Sequence, residues 1–230
     1  MASDIARRRA AKSARRKKLL NSRRAAAMPV SLADKIRRLA PCPLDRCLIQ
    51  PEMFETGMGT VVLARRTETG QIAMAAFLVD AFSLGIKDLV FHVLERSEFE
   101  TYIAMGHEAS PFQAVDPSYA RKLLRDAAAY AASLGLRPYR GFWAIEQLFG
   151  DVRDEDCAEE FSFGRNGKPA YMVGPTETTA QVMRRLERLT ERLGPDGFSW
   201  MIPISEDEIL TNEADEPAPA PLAIPAATAP

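Results

Sequence analysis

The sequence predicts an α+β fold: a single domain with a small, mostly antiparallel sheet of hairpins packed by helices, a basic helical N-terminal arm and a disordered C-terminal tail. Three observations predict it. Thr60–Arg65 and Gln71–Phe82 are rich in Val, Ala, Leu and Phe and flank Thr67-Glu68-Thr69-Gly70, the pattern of two strands joined by a turn. Residues 117–134 and 178–193 carry apolar residues at helical spacing instead. Of 230 residues, 47% are hydrophobic and 27% charged, which fits one globular body and excludes wholesale disorder, a collagen-like repeat or a disulfide scaffold. The boundaries read as a basic arm over 1–30, a folded domain over 31–204, and over 205–230 a tail that is acidic and then Ala/Pro-rich.

Residues 3–27 are Ala, Arg, Lys, Ser and Leu for the most part, with Ser3 as a cap, so a helix can form there. Its apolar residues Ile5, Leu19 and Leu20 make no continuous stripe, and it has no large face to bury. Ser31-x-x-Asp34 opens a short helix to Leu39 that Pro41 and Pro43 end. The long apolar run in 71–82 predicts a central strand buried on both faces. Leu89–Leu94 reads as a third strand, and Ser97-x-x-Glu100 as the start of a helix through Met105. Asp116-Pro117 supplies a cap and a first-turn proline for a helix ending at Leu134-Gly135, with Ala120, Leu123, Leu124, Ala127, Ala128 and Ala131 inward. A short helix follows over 142–149. Asn166-Gly167 between Glu160–Arg165 and Pro169–Val173 predicts a tight hairpin. Thr178-x-x-Gln181 caps a last helix that Gly194-Pro195 stops. There is no internal repeat.

The net charge of −1 is a sum of unlike parts. Residues 1–40 hold thirteen Lys and Arg against Asp4 and Asp34, a charge of +11, and the remaining 190 residues carry −12. A basic arm on an acidic body attracts a polyanion: nucleic acid, an anionic membrane surface or an acidic protein partner. It can also fold back on the acidic stretches 151–160 or 206–216. No stretch approaches the roughly 18 uncharged apolar residues of a transmembrane helix. No apolar run of signal-peptide length follows the first arginines, so secretion by that route is not expected, although residues 5–30 also have the Arg, Ala and Ser content of a transit peptide. Cys42, Cys47 and Cys157 are an odd number of cysteines, which suits free thiols in a reducing cytoplasm.

Ten cations lie in the arm: Arg7, Arg8, Arg9, Lys12, Arg15, Arg16, Lys17, Lys18, Arg23 and Arg24. Duplex nucleic acid carries one charge per ~1.7 Å, and neutralising it releases counterions. An Arg-rich segment without aromatic residues suits contact with the backbone of RNA or DNA more than base reading. The expected function is therefore that of an accessory nucleic-acid-associated protein acting through the arm, with no cofactor. The competing expectation is a Mg²⁺-dependent phosphoesterase or nuclease. There Asp80 and Asp88 would hold the metal and Lys87 would offset phosphate charge. Further ligands would come from Glu52, Glu55 or the 151–160 acids. The structural alternative is that Asp80 closes the turn after the strand and that Lys87-Asp88 is turn chemistry. A third expectation is a protein-interaction module.

Zinc would need Cys42-x-x-x-x-Cys47 joined by Cys157 and His92 or His107, and the second ligand pair is missing. Cys47 reads as a small buried hydrophobe. Gly57-Met58-Gly59 precedes a strand and is followed by no Gly-Lys-Ser/Thr, so it reads as a bend, not a phosphate loop.

The order of Cys47-Leu48-Ile49, Gly57-Met58-Gly59, Phe77-Leu78-Val79-Asp80, Leu84-Gly85-Ile86-Lys87-Asp88, Leu134-Gly135-Leu136-Arg137-Pro138 and Phe163–Pro169 to Gly174-Pro175 resembles a family of uncharacterised bacterial proteins. The resemblance spans roughly residues 44–193. It implies a cytoplasmic bacterial α+β domain and supplies no mechanism. Ser83 stands where the family pattern has Cys, which counts against an essential thiol there. Leu84–Asp88 is also similar to a segment of type-two ribonucleases H, but the acidic Asp-Glu motif that opens their metal site is absent.

Overall fold

The computed structural model describes residues 31–174 and 177–202. Both the basic arm and the acidic tail lie outside the described residues. The chain forms β1 (Leu44–Ile49), β2 (Met58–Arg66), β3 (Ile72–Asp80), β4 (Gly85–Leu94) and β5 (Gln113–Ala114), joined in an antiparallel sheet of order β4-β3-β2-β1-β5. This is the α+β architecture the sequence predicts.

The long apolar run of β3 is explained by its place. It pairs with β2 from Met58↔Asp80 to Arg66↔Ile72 and with β4 on the other side. Side chains alternate across a pleated strand. Val61, Leu63, Ala75, Phe77 and Val79 therefore enter one core, while Val62, Ala64, Ile72, Met74 and Ala76 enter the other. Each core needs a helical cover. The second is closed by α3 (Arg96–Ala109) through Phe99, Tyr102 and Ile103. The first is closed by α1 (Leu32–Leu39), α4 (Pro117–Ser133) and α5 (Phe142–Glu146), with a one-turn α2 (Met53–Thr56) beside them. Full burial of a Leu- or Phe-sized side chain contributes about 1.5–3 kcal/mol, so these two cores supply most of the stabilisation.

The caps are local chemistry. Ser31 Oγ accepts from Asp34 N at 3.2 Å, and Asp116 Oδ1 accepts from Ser118 N at 2.8 Å ahead of Pro117. α3 begins two residues earlier than its sequence suggests: Glu98 Oε2 accepts from the N–H of Glu95 at 2.8 Å, so Glu95 and not Ser97 is the cap. β4 likewise begins at Gly85, which places Lys87 and Asp88 inside a strand instead of a turn.

The third group of elements corrects an expectation. Asn166 and Gly167 do take positive φ, 54° and 75°, and Arg165 and Lys168 bridge across them. No ladder continues from that bridge. Instead β6 (Ala170–Met172) pairs in parallel with β7 (Ser199–Met201), linked by α6 (Thr179–Leu193). Both flanks of the turn are held to the β3–β4 connection, because Gly164 N donates to Ala81 O at 2.9 Å and Ala170 N to Phe82 O at 3.1 Å. Tyr171, Leu189 and Phe198 then pack on Leu84, Ala131, Leu134 and Leu136 at the end of α4.

Candidate functional site

Asp80 ends β3 and is 2% exposed. Its Oδ1 accepts from Phe82 N at 3.0 Å and from Ser83 N at 2.9 Å, closing the turn into β4. Burial pushes its carboxyl pKa up, against the pull of these amides and of the Lys87 charge. The turn it closes is a joint. Phe82 O accepts from both Tyr130 Oη at 3.2 Å and Ala170 N, tying α4 and the 164–170 segment to the sheet. Burial, with the Asp80 charge beside it, raises Tyr130 to about 12. The Phe77–Asp80, Leu84–Asp88 and Phe163–Pro169 segments therefore meet in space.

Lys87 and Asp88 face different surroundings. Lys87 Nζ lies 4.0 Å from Met58 Sδ and close to Gly174. Asp88 is exposed and accepts at 2.7 Å from the N–H of Leu89. It lines a shallow depression of about 220 Å³ with Thr60, Leu78 and Tyr102. Among the described residues no group of three His, Cys, Asp or Glu side chains is placed to hold a metal ion. Asp80 spends its carboxylate on the turn, the structural role the sequence leaves open for it. Cys47 is buried, and burial together with Asp116 pushes its thiol up to about 12, far from a nucleophile's range. His92 is exposed on the edge strand, and His107 Nδ1 accepts from Phe112 N at 3.0 Å.

Cations converge at another place. α1 and the β2–β3 turn enclose a depression of about 560 Å³ lined by Lys35, Arg38, Leu39, Thr67, Thr69, Gln71 and Val93. Ile36 alone is buried in α1, which fixes the helix and turns Lys35 and Arg38 outward. Lys35 Nζ sits 5.4 Å from the Phe91 ring centre, and among the described residues neither Lys35 nor Arg38 has a carboxylate within salt-bridge distance. Thr67 and Thr69 hydroxyls, 2.9 Å apart, share the rim. Two cations with hydroxyl donors can hold phosphate oxygens. Two acids stand at this end: Asp34 of α1, paired with Arg37 at 2.9 Å and lowered in pKa by the Ser31 hydroxyl and also by the Arg38 charge, and Glu95, which accepts from Gln71 Nε2 at 2.8 Å.

A second depression of about 410 Å³ lies between Phe54, Tyr119, Phe161 and the Asn166-Gly167 turn, with Glu159 and Glu160 on its rim. Phe161 stacks on Phe54 at 6.0 Å and meets Tyr119 edge-on at 4.9 Å. Acids around aromatic faces suit a cationic group.

Sequence reasoning misses the buried ions. Arg65 is 5% exposed and donates to Leu148 O at 2.6 Å, Phe149 O at 2.5 Å and Cys42 O at 2.5 Å, clamping the end of α1 to the turn after α5. Fully buried Glu146 accepts from Arg121 Nε at 2.6 Å and Arg125 Nε at 2.7 Å. The signal available was an acid inside the apolar Phe142–Phe149 run, facing two arginines one turn apart on α4. Comparisons with protein-family models, curated proteins and solved structures return no match.

Proposed function

We propose that the protein binds the phosphate backbone of nucleic acid, with the arm cations and the α1 depression acting as one basic tract. The observation that carries this is continuity. In the sequence the ten arm cations precede α1 by seven uncharged residues, and in α1 Lys35 and Arg38 line a depression instead of pairing with carboxylates among the described residues. Phosphate contact through Lys, Arg and Thr fixes position without reading sequence. The enzyme reading gains no support from the placement of Asp80 and Asp88.

Fluorescence anisotropy of labelled RNA and DNA over a salt series tests the proposal. Log affinity should fall with log salt by roughly 0.9 for each phosphate neutralised on a duplex. Deleting residues 1–29 should abolish binding at moderate salt, and the double variant Lys35→Ala, Arg38→Ala should make the slope shallower by about 2. Binding that survives the deletion unchanged would overturn the proposal. Recovery of acidic proteins that resists nuclease treatment would favour the protein-partner reading instead.

A further inference from the structure

The segment Leu136–Ile145 holds Arg137, Tyr139, Arg140, Phe142 and Trp143 and no acid, although the chain beyond residue 40 carries −12. It lies along the edge of the sheet. Tyr139 N donates to Ile86 O at 2.9 Å, and α5 packs on both α1 and β4. Phe142 is buried edge-on against Phe77 at 5.9 Å, and its ring supports Trp143 at 4.7 Å with planes tilted by 60°. Trp143 is thus seated on an anchored residue yet 57% exposed, with Tyr139 45% exposed nearby. Arg137 and Arg140 are exposed and, among the described residues, have no carboxylate within salt-bridge distance.

Exposed aromatic rings close in sequence to guanidinium groups without carboxylate partners among the described residues have a specific use. Bases of a single strand stack on such rings, while cations track the backbone, and the recognition tolerates any sequence because every base has a π face. A duplex hides its base faces and cannot use them. We propose that Tyr139 and Trp143, flanked by Arg137 and Arg140, form a stacking platform for unpaired bases of single-stranded nucleic acid. This rests on the backbone-binding function proposed above and adds its substrate class. α1 is the neighbour that links the two surfaces: it packs on α5 and presents Lys35 and Arg38.

The full chain carries two tryptophans, Trp143 and Trp200, so Trp200→Phe leaves Trp143 as the single reporter. Titrating this variant with an oligo(dT) probe should quench Trp143 emission, while a duplex of equal length should bind without quenching it. Tyr139→Ala should weaken oligo(dT) binding roughly fivefold or more and leave duplex binding unchanged. Both side chains are exposed, and matching thermal unfolding of variant and parent confirms that the fold is kept. Binding of both probes with unchanged Trp143 emission, or an equal loss for both in Tyr139→Ala, overturns the platform while sparing the backbone-binding reading. Binding of neither probe overturns that reading and the platform with it.

Discussion

Asp80 accepts two amide hydrogen bonds in a site that burial makes hostile to its charge, and these opposite demands can be separated by substitution. Asp80→Ala leaves the Phe82 and Ser83 N–H groups without their acceptor and should cost about 1–3 kcal/mol in urea unfolding. Asp80→Asn keeps an acceptor oxygen and does not titrate. Because the folded-state pKa lies above the ordinary 3.8, the folded protein holds the proton over a window in which the unfolded chain has lost it. Stability then falls as pH rises through that window and levels off above it. Asp80→Asn should therefore gain on the parent as pH rises from 3.8 towards neutrality, and a parent that gains on the variant would contradict this sign. Glu146 is a buried carboxylate with two arginine partners. Glu146→Ala leaves Arg121 buried and unpaired and should cost about 3–5 kcal/mol. Neither role could be read from residue type. Asp80 has the sequence look of a strand-end acid of either kind, and Glu146 acquires partners only when α4 lies beside α5.

Elements were legible where their signals are local. The Asp116-Pro117 cap, the apolar face of α4 and the Thr178-x-x-Gln181 start of α6 each depend on residues within one or two turns. β1 was not legible, because Leu44-Asp45-Arg46-Cys47 shows no clean alternation and its pairing with β2 is set by partners elsewhere in the chain. β7 is three residues long and pairs in parallel with β6, a contact no short-range pattern reports. Gly85 shows how an element boundary can be hidden. The sequence starts the third strand at Leu89, yet Gly85 opens β4 with φ +62°, and a Cβ there would strike the Ala127 carbonyl of α4. Gly70 also has positive φ, +84°, with open space around it. Gly70→Ala should lose about 1–2 kcal/mol from backbone strain alone. Gly85→Ala should lose that and a further ~1–3 kcal/mol from the forced separation of helix and sheet. Equal losses by calorimetry would show that α4 does not approach β4 so closely.

At the scale of the molecule, a chain of net charge −1 is a +11 segment followed by a −12 remainder, and partner binding should therefore depend on ionic strength far more than that total suggests. A full-length protein and a residue 1–29 deletion should show the difference directly, with a steep log affinity against log salt for the first and little binding for the second. The described residues contain no helix long and apolar enough to cross a membrane. The arm cations were legible because a run of charge needs no tertiary contact to exist. The α1 depression was not, since it joins Lys35 and Arg38 to Thr67, Thr69, Gln71 and Val93, and the exposed Trp143 is seated on a Phe142 that Phe77 anchors. The sequence by itself determined the α+β class, the two-faced burial of β3, the caps of α1, α4 and α6 and the division of charge, because propensity, capping, periodicity and composition act over a few residues. Tertiary structure alone decided the strand order, the parallel pairing of β6 with β7, the turn-closing role of Asp80 and the surfaces at Lys35 and Trp143. Those depend on which distant segments share a core, and burial free energy settles that for the whole chain at once.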